Sequence, residues 1–166
     1  MLSEVYETIL GKVDITAMDK LKILLQKSIT KAIIPESDPK PYIETISFKF
    51  GQLLEGIEHL ASSKGKENQQ ALGTDLLMAI LEGLQLNVDE AECFLLFQLR
   101  KLGRFRKRES EFLTELKGLW KTYPDYELAD QDFSRALKSL MREKLILYRK
   151  GSIQVNTSFI LRYRIS

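Results

Sequence analysis

The sequence predicts a mainly α-helical chain with a small antiparallel β-hairpin, organised as an N-terminal helical bundle over residues 1–86 and a second domain over 87–166. Three observations carry this. Apolar residues recur at three- and four-residue spacing through most of the first 141 positions, the period of helices with one buried stripe. The pattern then changes to two β-prone runs around Lys150-Gly151, the signature of a tight hairpin. The charge also changes character at the boundary. Up to Leu86 there are nine lysines, no arginine and twelve acids, whereas the rest holds seven lysines, nine arginines and eleven acids.

In the first half, Ser3 is the expected cap of a short helix carrying Val5, Ile9 and Leu10. Thr16 is expected to cap the next, with Met18, Leu21, Leu25, Ile29 and Ala32 on its apolar face, and Pro35 stops it. The run PESDPKP (35–41) holds three prolines and reads as a loop. A third helix carries Ile43, Ile46, Phe50, Leu53, Leu54, Ile57 and Leu60 and ends in the polar run 62–68. A fourth carries Leu72, Leu76, Leu77, Ile80, Leu81 and Leu84. These stripes are wide and the charged faces opposite them modest, as expected of a bundle that also buries area against a second copy.

The second half opens with NVDE, in which Asn87 and Glu90 have the form of a capping box. Its helix carries Val88, Ala91, Phe94, Leu95, Leu99 and Leu102, and Gly103 is placed to end it. After the short basic connection, with Phe105 expected to turn inward, Ser110 is the expected cap of a helix bearing Phe112, Leu113, Leu116, Leu119 and Trp120. Pro124 and Asp125 make a turn, and Asp130 caps a helix whose inner side is Phe133, Leu137, Leu140 and Met141. LILYRKGSIQV (145–155) is the hairpin, and FILRYRI (159–165) is a last β-prone run without an assignable partner, alternating Ile160, Arg162, Arg164 with Leu161, Tyr163, Ile165.

The order helix, short extended piece, helix, turn, helix, strand, tight turn, strand resembles the winged helix-turn-helix superfamily. The likeness is carried by DFSRALKSLMREKLILYRKGSIQV (132–155), with RFR (104–106) where such domains have their first small strand. It covers residues 87–166. The resemblance implies contact with double-stranded DNA through the outer face of the third helix and through the hairpin wing. On that helix Arg135, Lys138 and Arg142 form a basic stripe, with Ser134 and Ser139 beside it. Arg149 and Lys150 mark the wing tip, and Arg104, Arg106, Lys107 and Arg108 lead into the second helix. The expected function is therefore a DNA-binding transcription regulator, acting as a homodimer through the N-terminal helices. The alternative is a protein–protein interaction or assembly subunit with no nucleic-acid contact, since Asp130 and Asp132 would stand near the bases.

Catalysis is not expected. His59, between Glu58 and Leu60, has no spaced nucleophile, and there is no Gly-rich phosphate loop and no His/Cys set with metal-ligand spacing. No cofactor and no metal are therefore expected. Trp120, Tyr123 and Tyr126 read as a core plug rather than a base-stacking platform. The single Cys93 allows no internal disulfide, which points to a reducing, cytoplasmic compartment. MLSEVYETIL does not have the form of a signal peptide, and no apolar run approaches the ~20 residues of a membrane span, so no membrane partner is expected.

Overall fold

The computed structural model describes residues 2–12, 18–33, 42–62, 69–103 and 106–164. The chain is mainly helical. The described elements are α1 (Leu2–Lys12), α2 (Met18–Ser28), β1 (Ile29–Lys31), β2 (Tyr42–Phe48), α3 (Phe50–Ser62), α4 (Gln69–Gly83), α5 (Glu90–Gly103), β3 (Lys107–Arg108) and α6 (Glu109–Trp120), and then a 3-10 turn (Pro124–Tyr126), α7 (Asp130–Arg142), β4 (Ile146–Arg149), β5 (Ser152–Val155) and β6 (Phe159–Arg164). Two three-stranded antiparallel sheets have the orders β1-β2-β6 and β3-β5-β4.

The first sheet corrects the all-helical expectation for the first half. The second helix stops at Ser28 rather than running to Ala32, and residues 42–48 form a central strand rather than the start of the third helix. Ile43, Ile46 and Phe50 imitate helical spacing, yet YIETISF is rich in β-branched and aromatic residues, which suit a pleated surface. Its second partner is β6, more than a hundred residues away, with Ile46 opposite Leu161 and Phe48 opposite Phe159. The pairing crosses the 86/87 boundary and gives the last run its partner.

Inward-facing residues of this sheet tie it to the helices. Ile46 and Phe48 are fully buried, and the Tyr163 hydroxyl donates to the Leu84 carbonyl at 2.8 Å. Burial, with the Glu44 charge beside it, pushes the Tyr163 phenol up to about 12. Glu44 in β2 accepts from the Leu2 N–H at 3.1 Å, so the start of α1 is capped from the sheet and Ser3 lies inside the first turn. Tyr6 donates to the Ile29 carbonyl, linking α1 to β1. One continuous apolar cluster runs from Val5 and Ile9, through α3, α4 and α5, to Leu145, Ile153 and Val155 under the second sheet.

Local signals hold better in the second half, shifted by one or two residues. The capping box is Asp89 with Glu92, not Asn87 with Glu90. The Glu92 N–H donates to the Asp89 carboxylate at 2.8 Å, and the Asp89 N–H donates back to Glu92 at 3.0 Å. The Asn87 N–H instead donates to Glu143 at 3.3 Å. Arg108 and Ala129 occupy the N-cap positions expected for Ser110 and Asp130, and neither makes a side-chain cap bond. Ser110 and Asp130 lie in the first turns, where Asp130 complements the helix dipole. Trp120 is buried, and Tyr126 stacks on Phe94 with ring centroids 4.4 Å apart, so these aromatics plug the core. Thr16, the segment 35–41, the run 63–68, Phe105 and Ile165 lie outside the described residues.

Candidate nucleic-acid interface

Helix α7 owes its orientation to a sharp division of its surface. Phe133, Ala136, Leu137 and Leu140 are buried, and Phe133 packs against Phe112 of α6 with centroids 6.0 Å apart. That side fixed, Ser134, Arg135, Lys138 and Arg142 are exposed on the other, with the last three at successive turns of one face. The helix ends in a left-handed residue, Lys144 (φ 63°), with Leu145 N–H bonded back to the Leu140 carbonyl at 3.0 Å. This turn feeds the chain directly into β4.

The hairpin tip follows the same logic. Lys150 (φ 49°) and Gly151 (φ 76°) both occupy the left-handed region, as a two-residue turn of the type matched to strand twist requires. Arg149 and Lys150 are exposed there. Strand β3 pairs with β5, so Arg108, Ser152 and Arg149 fall in one row across three strands and share one face. At a strand spacing of about 4.8 Å the two arginine Cα atoms stand about 10 Å apart. The opposite face, with Ile146, Ile153 and Val155, covers the core.

The expected contact residues are not equally available. Arg106, Arg108, Arg149, Lys150 and Lys138 are exposed and make no ion pair among the described residues. Lys107 is different. Its ammonium sits 2.6 Å from Glu115 and 3.5 Å from the Leu102 carbonyl, pinning β3 to α5 and α6. Arg135 pairs with Asp132 at 3.2 Å, Arg142 with Glu143 at 3.6 Å, and Lys117 with Asp130 at 3.4 Å. The stripe is therefore partly neutralised from its own helix. Ser139 is half-buried, donates to Glu92 and accepts from Arg142 at 3.4 Å, so its hydroxyl is committed to the α5–α7 junction. Burial pushes the Glu92 carboxyl above the usual carboxylate range, against the hydrogen bonds from Asp89 and Ser139 and the charge of Arg142, which pull it down. Arg104 lies outside the described residues.

The sheet pairing adds basic residues that local sequence reading does not assign to the interface. Arg162 and Arg164 alternate on the exposed side of β6, and Lys144 is exposed at the end of α7. The alternation of 159–165 is visible in the sequence, but its position beside α7 depends on β2. Among the described residues, no group of three or more His, Cys, Asp or Glu could hold a metal ion, and no helix is long and apolar enough to cross a membrane. Cys93 is buried and its thiol is pushed up by burial, so it stays protonated. No family model, curated protein or solved structure matches the chain.

Proposed function

We propose that the chain is a DNA-binding winged-helix protein, a transcription regulator that holds duplex DNA with α7 and the β4–β5 wing. The carrying observation is the exposed Arg135–Lys138–Arg142 face, on a helix that passes through one left-handed turn into a hairpin tipped by Arg149 and Lys150. Strand β3, at 107–108 rather than in the RFR run 104–106, joins that hairpin and adds Arg108 to the same sheet face as Arg149.

In this reading α7 enters the major groove, where an arginine fork fits the O6 and N7 acceptors of guanine. Arg108, Arg149 and Lys150 take phosphates, which sets register and supplies affinity without reading sequence. The chain acts as a homodimer through its N-terminal helices. Half-exposed Ile23 beside Leu24, over a groove of about 380 Å³ between α2 and α3, supports that part.

The second reading, a protein-interaction subunit, is favoured by one observation: Asp132 and Glu143 sit within ion-pair distance of Arg135 and Arg142. A titration of labelled random-sequence duplex at 50 and 200 mM salt separates the two. DNA binding predicts an affinity that falls steeply with salt, by a log–log slope of several units. No binding at 50 mM salt would refute the DNA reading. Light scattering tests the dimer, and a monomeric full chain would exclude it.

A further inference from the structure

Between the end of α7 and the exposed side of β6 lies a groove of about 680 Å³. Arg142 and Lys144 line it from one side and Arg162 and Arg164 from the other. All four are exposed at its rim, while Leu86 and Leu161 contribute apolar floor. Among the described residues the one carboxylate lining the groove, Glu143, is already engaged, accepting from the Asn87 N–H and pairing with Arg142. Among the described residues that line the groove, four cations stand against one carboxylate, an excess of positive charge suited to an anion.

The four cations come from segments that the sequence separates. The alternation of β6 sends Leu161 and Tyr163 inward, and the Tyr163 hydroxyl bond to Leu84 holds the strand against α4. Arg162 and Arg164 therefore face outward as a pair two residues apart. The left-handed Lys144 is fixed by the Asn156 side-chain amide, which donates to the Lys144 carbonyl at 2.8 Å. Its position is thus set by backbone geometry, while the ammonium itself makes no ion pair among the described residues.

Arg142 belongs both to the exposed face of α7 and to this groove, so the two basic surfaces are continuous. We propose that the groove between α7 and β6 is a phosphodiester-binding track, in which Lys144, Arg162 and Arg164 hold the sugar–phosphate backbone of the duplex that α7 reads. This rests on the DNA reading above and extends it. The track is sequence-blind, because it offers charge and donors but no element that enters a groove of the duplex.

The experiment uses the full chain and one 20-base-pair duplex, with anisotropy measured from 50 to 200 mM salt. The substitutions Lys144→Gln, Arg162→Gln and Arg164→Gln are combined, and the charge-preserving set Lys144→Arg, Arg162→Lys and Arg164→Lys is run beside it. Each phosphate contact contributes about 0.9 to the log–log salt slope, so the glutamine set is expected to lower the slope by about 2–3 and the affinity by tenfold or more at 100 mM salt. The charge-preserving set is expected to bind like wild type, and a thermal melt of each variant checks that it is folded. Wild-type binding with an unchanged slope in the folded glutamine set overturns the track and leaves the DNA reading intact. Loss of binding in the charge-preserving set equal to that in the glutamine set also overturns it, because shape rather than charge would then matter. If the wild-type chain does not bind the duplex at 50 mM salt, the DNA reading itself fails and the track with it.

Discussion

Phe159 meets Phe48 edge-on, with ring centroids 5.2 Å apart and planes at 76°, directly opposite it in the β2–β6 register. The contact joins the last strand to the first half of the chain, and Phe50 approaches the same ring at 6.4 Å. Phe48 and Phe50 are fully buried, whereas Phe159 is half-buried. Phe159→Ala is therefore expected to cost about 2–3 kcal/mol, somewhat less than truncating a fully buried aromatic. Urea unfolding followed by circular dichroism checks this. A midpoint equal to wild type would mean that β6 does not hold the first sheet together.

That pairing also explains what can and cannot be read from the sequence. The α7-to-β5 stretch is legible because its determinants are local: a strict three-and-four spacing in Phe133, Leu137 and Leu140, then a Lys-Gly tip. Strand β2 is not, because Ile43 and Ile46 fit helical spacing, and β1 covers only 46–48 while the partner along the rest of the strand lies beyond residue 158. The same non-local pairing hides the groove-lining Arg162 and Arg164. Lys107 shows the opposite failure. Sequence groups it with its basic neighbours, yet its half-buried ammonium serves Glu115.

Glu92 makes stability depend on pH. Burial raises its folded carboxyl above the unfolded value, so the folded state binds the proton more tightly. The associated stability is present below the unfolded carboxylate range and is lost as pH rises through the raised folded value. Glu92→Gln keeps an acceptor for the Asp89 N–H and removes the titration. Its stability curve is expected to be flatter across mildly acidic pH and to lie above wild type at neutral pH. Chemical unfolding from pH 4 to 8 tests this, and parallel curves would contradict it.

Two helical glycines should respond oppositely to alanine. At Gly118 in α6 a Cβ meets nothing within 4 Å, so Gly118→Ala is expected to stabilise by about 0.5–1 kcal/mol through helix propensity and lower unfolded-state entropy. At Gly83, at the end of α4, a Cβ would sit 2.8 Å from Cγ1 of Ile9, which is fully buried and has nowhere to move. Gly83→Ala is expected to cost about 1–3 kcal/mol. Thermal melts that shift in the same direction for both would show that the α1–α4 approach is looser than this contact requires.

Lys150 separates conformation from charge at the hairpin tip. Asparagine before glycine is a favoured pair for this turn, so Lys150→Asn keeps the positive φ at no cost in stability. It removes one cation. If the hairpin holds duplex DNA as proposed, affinity for every duplex is expected to fall, with the salt slope smaller by about one and sequence preference unchanged. An unaltered slope in the folded variant would remove the hairpin tip from the proposed backbone contacts.

Asp132 supplies the sharpest test of the two functional readings. Its carboxylate lies 3.2 Å from Arg135, one helical turn away on an exposed face. If α7 reads DNA, this acid repels phosphate and holds the arginine that should face a base. Asp132→Asn would then release Arg135 and raise duplex affinity by up to about fivefold, the range of an exposed ion pair. The salt slope is expected to change little, because the freed arginine faces a base and adds no phosphate contact. If α7 instead meets a protein, Asp132→Asn leaves duplex binding weak at every salt concentration, and the carboxylate is part of the contact. Anisotropy with the 20-base-pair duplex decides between these, since only the DNA reading predicts a gain from removing an acid.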